Sequence, residues 1–91
     1  MTLTKPIKQR KNREYRIQVA SFHEQFHADE LRAKLTLSGF HSTIVTSLSS
    51  TQKKRFRVLV GPYASKKLAL KGQQKLASYH IQNTLILQQT K

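Results

Sequence analysis

The chain has 91 residues, no cysteine and a formal net charge of +13, with 17 lysines and arginines against four aspartates and glutamates. This length allows one domain with a small core, and the lack of cysteine excludes disulfide bonds and thiolate metal sites. No apolar run is long enough to cross a bilayer, and no signal-peptide pattern follows Met1. We therefore expect a soluble domain, either alone or as a piece of a longer, anchored protein.

The first predicted element is a basic tail. The first thirteen residues contain five basic side chains and no acid, namely Lys5, Lys8, Arg10, Lys11 and Arg13. Removing these five charges from +13 leaves +8 on residues 14–91, so the rest of the chain is basic in its own right. Such an excess favours a polyanionic partner: nucleic acid, an anionic membrane surface or an acidic cell-wall polymer. We predict a disordered linker or tail at residues 1–14 and a folded domain at residues 15–91.

The first half of the folded part predicts a strand, a helix and a second strand. Residues Tyr15–Phe22 alternate apolar and polar side chains with the period of a half-buried strand. From about Gln25 the period becomes that of an amphipathic helix, and Gly39 ends it. Phe40–Leu48 is rich in β-branched residues and predicts the second strand.

The second half repeats this order. A polar connection leads to a third strand at Arg55–Tyr63, Ser65 is the predicted N-cap of a second helix, and Asn83–Gln88 is the last strand. The two halves align without a gap at an offset of 41 residues, so that Tyr15–Phe22 falls on Phe56–Tyr63. Two copies of a unit too small to fold alone predict one domain with pseudo-two-fold symmetry.

The order βαβ–βαβ predicts an α+β fold of the split βαβ type, ferredoxin-like or RNP-like. One four-stranded antiparallel sheet has strands one and three in its centre and both helices on one face. The predicted core consists of Ile17, Val19, Val45, Val58, Val60 and Ile86 from the sheet, and Leu31, Leu35, Leu68, Ala69 and Leu76 from the helices.

The opposite face of the sheet is predicted to be open to solvent. Alternation assigns to it Arg16, Gln18, Ala20, Ile44, Thr46, Arg57, Leu59, Gly61, Leu85 and Leu87. A purely structural antiparallel sheet carries mainly polar side chains on such a face, whereas this set mixes aliphatic residues with an amide and two arginines. Exposed apolar area bordered by polar groups often marks an interaction site, so this face is the predicted binding surface.

Signals for catalysis are weak. The segment His23–His27 reads H-E-x-x-H, a zinc motif that requires both histidines on one helical face. Here it straddles a strand-to-helix junction, and Ala33 stands where the extended motif needs a third histidine. His41 and His80 are isolated, and no serine lies in a G-x-S-x-G elbow. We predict no metal, no cofactor and no enzymatic activity.

An RNA-binding module of the same fold is the alternative. Such modules stack bases on exposed aromatic side chains of the two central strands. Phe56 points inward by alternation, and the outward positions of both central strands carry no ring. The basic charge still supports weak, nonspecific and salt-sensitive nucleic-acid binding, so RNA or another polyanion stays open as a ligand.

Two segments resemble the SPOR (sporulation-related repeat) domain family. Tyr15–Phe22, YRIQVASF, is similar to the opening Y-x-V-Q-x-G-S-F strand, and Arg57–Tyr63, RVLVGPY, is similar to the R-V-x-V-G-P-F segment. The resemblance covers about Tyr15 to Gln88. It implies a bacterial envelope domain that binds septal peptidoglycan, specifically glycan strands without stem peptides. It also implies a membrane-anchored parent protein at the division site; we expect the domain itself to be monomeric.

The resemblance also implies which residues bind the glycan. Gln18 and Ser21 match binding positions on the first strand, Arg57 a basic position on the third and Leu85 an aliphatic one on the fourth. Several relatives carry a tryptophan where this chain has Arg55. With the neighbouring open-face residues, the predicted glycan-binding set is Gln18, Ser21, Arg57, Leu85, Arg16, Leu59 and Arg55.

Overall fold

The structure is a computed structural model that describes residues 13–90. Its elements are β1 (Arg13–Phe22), α1 (Gln25–Leu37), β2 (Ser42–Leu48), β3 (Lys54–Tyr63), α2 (Lys66–Ser78) and β4 (Leu85–Thr90). The tail predicted for residues 1–14 lies outside the described residues except for Arg13 and Glu14, which begin β1. The bounds of β1 and α1 recur 41 residues later as those of β3 and α2, so the repeat is present in the backbone.

The four strands form one antiparallel sheet in the order β2-β3-β1-β4. The predicted α+β fold is therefore confirmed, with β1 and β3 central and β2 and β4 at the edges. Both helices lie on one face, because their buried side chains share one cluster with those of the sheet; its members are Ile17, Val19, Ala28, Leu35, Phe40, Val58, Val60, Ala69 and Leu76. No helix in residues 13–90 is long and apolar enough to span a membrane.

Most of the predicted core is confirmed, and Leu68 is an exception. Leu31 and Ile86 pack against the buried cluster as predicted, whereas the Leu68 residue is 45% exposed. The buried stripe of α2 consists of Ala69, Gly72 and Leu76. Leu68 lies about 100° around the helix from Ala69, because each residue turns an α-helix by that angle. It therefore lies at the edge of the buried stripe and is partly exposed.

The predicted faces of β2 are wrong. Ile44, predicted on the open face, packs against the core opposite Val58. Val45, predicted in the core, is 43% exposed and lies opposite Arg57. Thr46 consequently joins Ile44 on the helix side. Because the side-chain period of a strand is two, a shift of one residue exchanges every side chain between the two faces.

The position of Ser42 explains which side chains of β2 face the helices. It is buried, with 7% exposure, and its hydroxyl donates a hydrogen bond to the main-chain oxygen of Arg32 in α1 at 3.3 Å. Since side chains two apart on a strand share a face, Ser42 and Ile44 both face the helices. Serine is mostly a surface residue, so the sequence gives no reason to place it in the core, and the pair Ile44-Val45 fits either phase.

The predicted helix signals at Ser65 and Gly39 are confirmed. The Ser65 hydroxyl accepts a hydrogen bond from the Leu68 N–H at 3.2 Å and caps the start of α2. After α1, Gly39 has a φ of +92°, and the Phe40 N–H donates to the Leu35 oxygen at 2.9 Å. These features form a Schellman motif, in which one residue after the helix takes the left-handed conformation.

The end of α2 repeats this motif with a histidine in the place of glycine. His80 has a φ of +67°, its N–H donates to the Ala77 oxygen at 2.9 Å, and the Ile81 N–H donates to the Leu76 oxygen at 3.0 Å. A residue with a Cβ atom is disfavoured in this conformation. His80 is isolated in the sequence, and in the structure its backbone ends a helix.

We expect His80→Gly to raise the free energy of unfolding by about 0.5–1 kcal/mol. Relief of the left-handed conformation contributes ~1–2 kcal/mol, and the greater freedom of glycine in the unfolded chain offsets ~0.4–1 kcal/mol of it. His41→Gly is the matched control, because His41 does not have a positive φ and glycine there should destabilise the domain. Urea denaturation followed by circular dichroism measures both; a stability change of the same sign in the two variants would contradict the capping role of His80.

Candidate functional site

A β-bulge in β1 brings Gln18 and Ser21 to the same face of the sheet. Gln18 pairs with Leu59 and Ser21 pairs with Arg57, and these two partners lie two residues apart on β3. Strict alternation would place Gln18 and Ser21 on opposite faces, since three positions separate them. The register shift between Gln18 and Ala20 adds one residue to β1 and restores the common face.

The same bulge makes the predicted open-face position of Ala20 wrong. Ala20 pairs with Val58, which is fully buried in the core. A bulge arises from the pairing of two strands, so the alternating pattern of one strand does not reveal it. The resemblance to a family, rather than alternation, is what pointed to Ser21.

The centre of the open face is a row of side chains that crosses all four strands. Thr43, Leu59, Gln18 and Leu85 are successive pairing partners on β2, β3, β1 and β4. Leu59 is only 4% exposed, although both helices lie on the other face, and Leu85 is 58% exposed. The prediction that Leu59 is open to solvent is therefore wrong. Leu59 forms the floor of this central row, and Leu85 is its accessible apolar side chain.

Two arginines lie on one side of the central row. Arg57 is exposed and pairs with Ser21 and Val45. Arg55, two residues earlier on β3, donates from Nη1 to the Ser21 Oγ at 3.1 Å. Arg57 makes no ion pair with any carboxylate of residues 13–90. This end of the face therefore offers uncompensated positive charge beside an oriented hydroxyl group.

Arg16 lies on the other side of the central row, opposite Leu87 on β4. Its Nη2 is 3.6 Å from Oε1 of Glu14, and the two side chains are 23% and 21% exposed. Its Nε is buried and has no hydrogen-bond partner among the described residues. Because the Glu14 carboxylate offsets its charge, Arg16 attracts an external anion less strongly than Arg57 does.

The aromatic rings of the central strands face the helices. Tyr15 and Phe22 of β1 and Phe56 and Tyr63 of β3 all pack against the core, so the inward position predicted for Phe56 is confirmed. The open face of β1 and β3, over residues 13–90, therefore has no ring on which a base could stack.

The H-E-x-x-H segment is divided by the helix start. His23 and Glu24 precede α1, and Glu24 is its N-cap residue. The His27 Nε2 lies 3.3 Å from Oε1 of Glu24, and the His27 ring packs near that of Phe22. Within the part of the chain that the structure describes, no three histidine, aspartate or glutamate side chains are grouped as metal ligands would be. The predicted position at a strand-to-helix junction is confirmed.

A cleft of about 490 Å³ on the helix side was not predicted from the sequence. It lies between residues 39–41 after α1, residues 61–63 at the end of β3, and α2. Gly61, predicted on the open face, is buried here, and its N–H donates to the His41 oxygen at 3.0 Å. Tyr63 lies so close to Gly72 that a Cβ there would be 2.5 Å from its hydroxyl oxygen. Burial raises the pKa of Tyr63.

The domain is of the α+β class. It has a four-stranded antiparallel sheet with two helices on one face and a mixed polar and apolar opposite face. The SPOR domain model matches residues 11–87, so the chain belongs to the SPOR domain family. A comparison with curated proteins found no significant match.

Two solved structures share the fold. The SPOR domain of RlpA from Pseudomonas aeruginosa is 22% identical with a TM-score of 0.70, over 80% of this chain and 96% of that one. The solution structure of the peptidoglycan binding domain of the B. subtilis cell wall lytic enzyme CwlC is 19% identical with a TM-score of 0.72, over 93% and 100%. At these identities the likeness shows the fold alone.

Proposed function

We propose that this domain binds peptidoglycan without catalysis, through the open face of its sheet, and that its ligand is a glycan strand that lacks stem peptides. Membership of the SPOR family and the shared fold with the peptidoglycan binding domain of CwlC support the proposal. The observation that carries it is the grouping of Gln18, Ser21, Arg57 and Leu85 around the buried Leu59. In this proposal the binding domain begins with β1 at Arg13, two residues earlier than predicted from the sequence, and residues 1–12 are a basic linker.

The chemistry of this face fits such a strand. Glycan strands without stem peptides present hydroxyls, N-acetyl groups and lactyl carboxylates. Arg57 and Arg55 would bind a carboxylate, since hydrogen bonds between charged groups are the strong ones. Gln18 and Ser21 would bind amide and hydroxyl groups, and Leu85 would contact acetyl methyl groups. The central row crosses four strands, roughly 14 Å, which suits a chain of sugars better than one sugar.

Alanine substitutions on the open face test the proposal. Loss of a charged hydrogen bond costs about 1.5–3 kcal/mol and loss of an uncharged one about 0.5–1.5 kcal/mol. We therefore expect Arg57→Ala to weaken binding about tenfold or more, and Gln18→Ala by less. The measurement is the fraction of protein that pellets with amidase-treated peptidoglycan, compared with untreated peptidoglycan, over a range of protein concentrations.

Arg32→Ala is the matched control, because Arg32 is an exposed arginine on α1, on the helix side of the sheet. It removes the same charge and should leave pelleting unchanged, which separates a defined site from general attraction between a basic protein and an anionic polymer. Circular dichroism verifies that each variant is folded. Equal pelleting by the wild type and the Gln18→Ala/Arg57→Ala double variant would rule out this face.

We further propose that this binding directs a membrane-anchored parent protein to the division septum in the cell envelope, with the domain acting as a monomer. Nucleic-acid binding is then weak and nonspecific, because the rings that would stack bases face the core. An exported fluorescent fusion should form a septal band in dividing cells. The Gln18→Ala/Arg57→Ala fusion should instead spread around the envelope, and a septal band that persists in it would contradict targeting by this face.

A further inference from the structure

The cleft on the helix side is lined mainly by apolar surface. Phe40, 6% exposed, and the half-buried Tyr63 line its interior, and the partly exposed Leu68 lies at the edge. Its volume of about 490 Å³ is within the range of sites that bind small ligands or single anchoring side chains. A single large apolar side chain fits a cleft of this volume.

The rim of this cleft carries positive charge. Lys71 and Lys75 line it, and the Lys75 Nζ lies 5.2 Å from the centre of the Phe40 ring. The Lys71 side chain has no hydrogen bond or ion pair within residues 13–90. None of the acidic side chains of the chain lies on α2 or along the cleft; they are Glu14, Glu24, Asp29 and Glu30. The two ammonium groups are therefore available to an external anion.

The pseudo-symmetry of the fold supplies an internal comparison. A smaller cleft of about 200 Å³ lies at the equivalent place in the first half. It is lined by Phe22, His27, Glu30, Leu31 and Lys34, each 41 residues before Tyr63, Leu68, Lys71, Gly72 and Lys75. In the first cleft Leu31 stands where the second has Gly72, and the acidic Glu30 stands where the second has Lys71. The second cleft is thus the larger of the two and has two cations and no anion.

We propose that this second cleft docks a short acidic segment of a partner protein. One large apolar side chain of that segment enters the cleft and contacts Phe40 and Tyr63, and flanking carboxylates bind Lys71 and Lys75. A segment without acidic residues would leave Lys71 and Lys75 without partners, and one without a large apolar side chain would leave the apolar lining uncovered. A segment that has both matches the cleft. The cleft lies on the opposite side of the sheet from Gln18 and Arg57, so the inference does not depend on peptidoglycan binding.

The probe is the peptide Gly-Asp-Glu-Leu-Phe-Glu-Asp-Gly, titrated into the isotope-labelled full chain and followed by amide NMR shifts. We expect saturable shifts in residues 39–41, Gly61, Tyr63 and residues 68–75, with little change on the open face. A second peptide with Asn and Gln for the acids, and a third with Ser for Leu and Phe, should each bind about fivefold more weakly or worse. No saturation up to about 1 mM, or equal binding of all three peptides, would overturn the proposal.

Two lysine variants locate the site. Lys71→Glu gives the cleft the charge pattern of its first-half counterpart, and it should weaken binding of the acidic peptide about fivefold or more. Lys66→Glu makes the same charge change on the same helix but does not line the cleft, so its effect should be smaller. If the two variants weakened peptide binding equally, binding would depend only on the overall charge of the domain, and the proposal would be overturned. Binding to phosphatidylglycerol vesicles that Lys71→Glu abolishes, with no peptide shifts, would assign the surface to a membrane instead.

Discussion

Replacing Leu76 with alanine is expected to lower the free energy of unfolding by about 2–5 kcal/mol. Leu76 is fully buried between α2 and the sheet, so alanine would leave a cavity in the one core that both halves share. Because domains of this size are stable by only about 5–15 kcal/mol, the loss is a large fraction of the total.

Leu70→Ala is the matched control for this prediction. Leu70 is on the same helix, but it is 45% exposed, so the same change in side chain should alter stability by less than ~0.5 kcal/mol. Urea denaturation followed by circular dichroism measures both variants. If the two midpoints shifted equally, the buried stripe assigned to α2 would be wrong.

Gly61→Ala is expected to lower the free energy of unfolding by about 2–4 kcal/mol. Gly61 has a φ of +135°, a conformation that costs other residues ~1–3 kcal/mol. A Cβ at this position would also lie 3.1 Å from the Tyr15 main-chain oxygen and 3.3 Å from the Tyr63 ring. Crowding of this kind costs a further ~1–3 kcal/mol, because neither backbone nor packed ring can move freely.

Gly39→Ala separates these two costs. Gly39 also has a positive φ, of +92°, but a Cβ there would have no atom within 4 Å. It should therefore lose only the conformational part, about 1–2 kcal/mol. Thermal and urea unfolding of both variants give the comparison. Equal losses would show that the close approach of Tyr15 and Tyr63 to Gly61 contributes nothing.

The order of elements could be predicted from the sequence because two independent signals agree. Hydrophobic periodicity gives the type of each element, and the 41-residue offset requires both halves to have the same order. Residues with strong local preferences mark the boundaries, as Ser65 does before α2 and Gly39 after α1. These signals are local, so they need no knowledge of which strands pair.

The faces of the strands depend on pairing and were harder to predict. The exchange of Ile44 and Val45 follows from the contact of Ser42 with α1, and the position of Ser21 follows from the register between β1 and β3. The burial of Leu59 depends on its neighbours on the two adjacent strands, β1 and β2. The left-handed conformation of His80 occurs at the position equivalent to Gly39, 41 residues later, where the second helix ends in the same way as the first.

The bulge in β1 has a consequence for protein design. Gln18, Ser21 and Arg57 cannot be transplanted as single residues to the regular strands of another sheet, because Ser21 would then emerge on its far side. The transferable unit is the paired segment, residues 18–22 together with residues 56–59. Deletions behave differently: loss of Val19 or Ala20 would remove the bulge and leave Gln18 and Ser21 two positions apart, on the same face of a regular strand, because their partners Leu59 and Arg57 are also two residues apart.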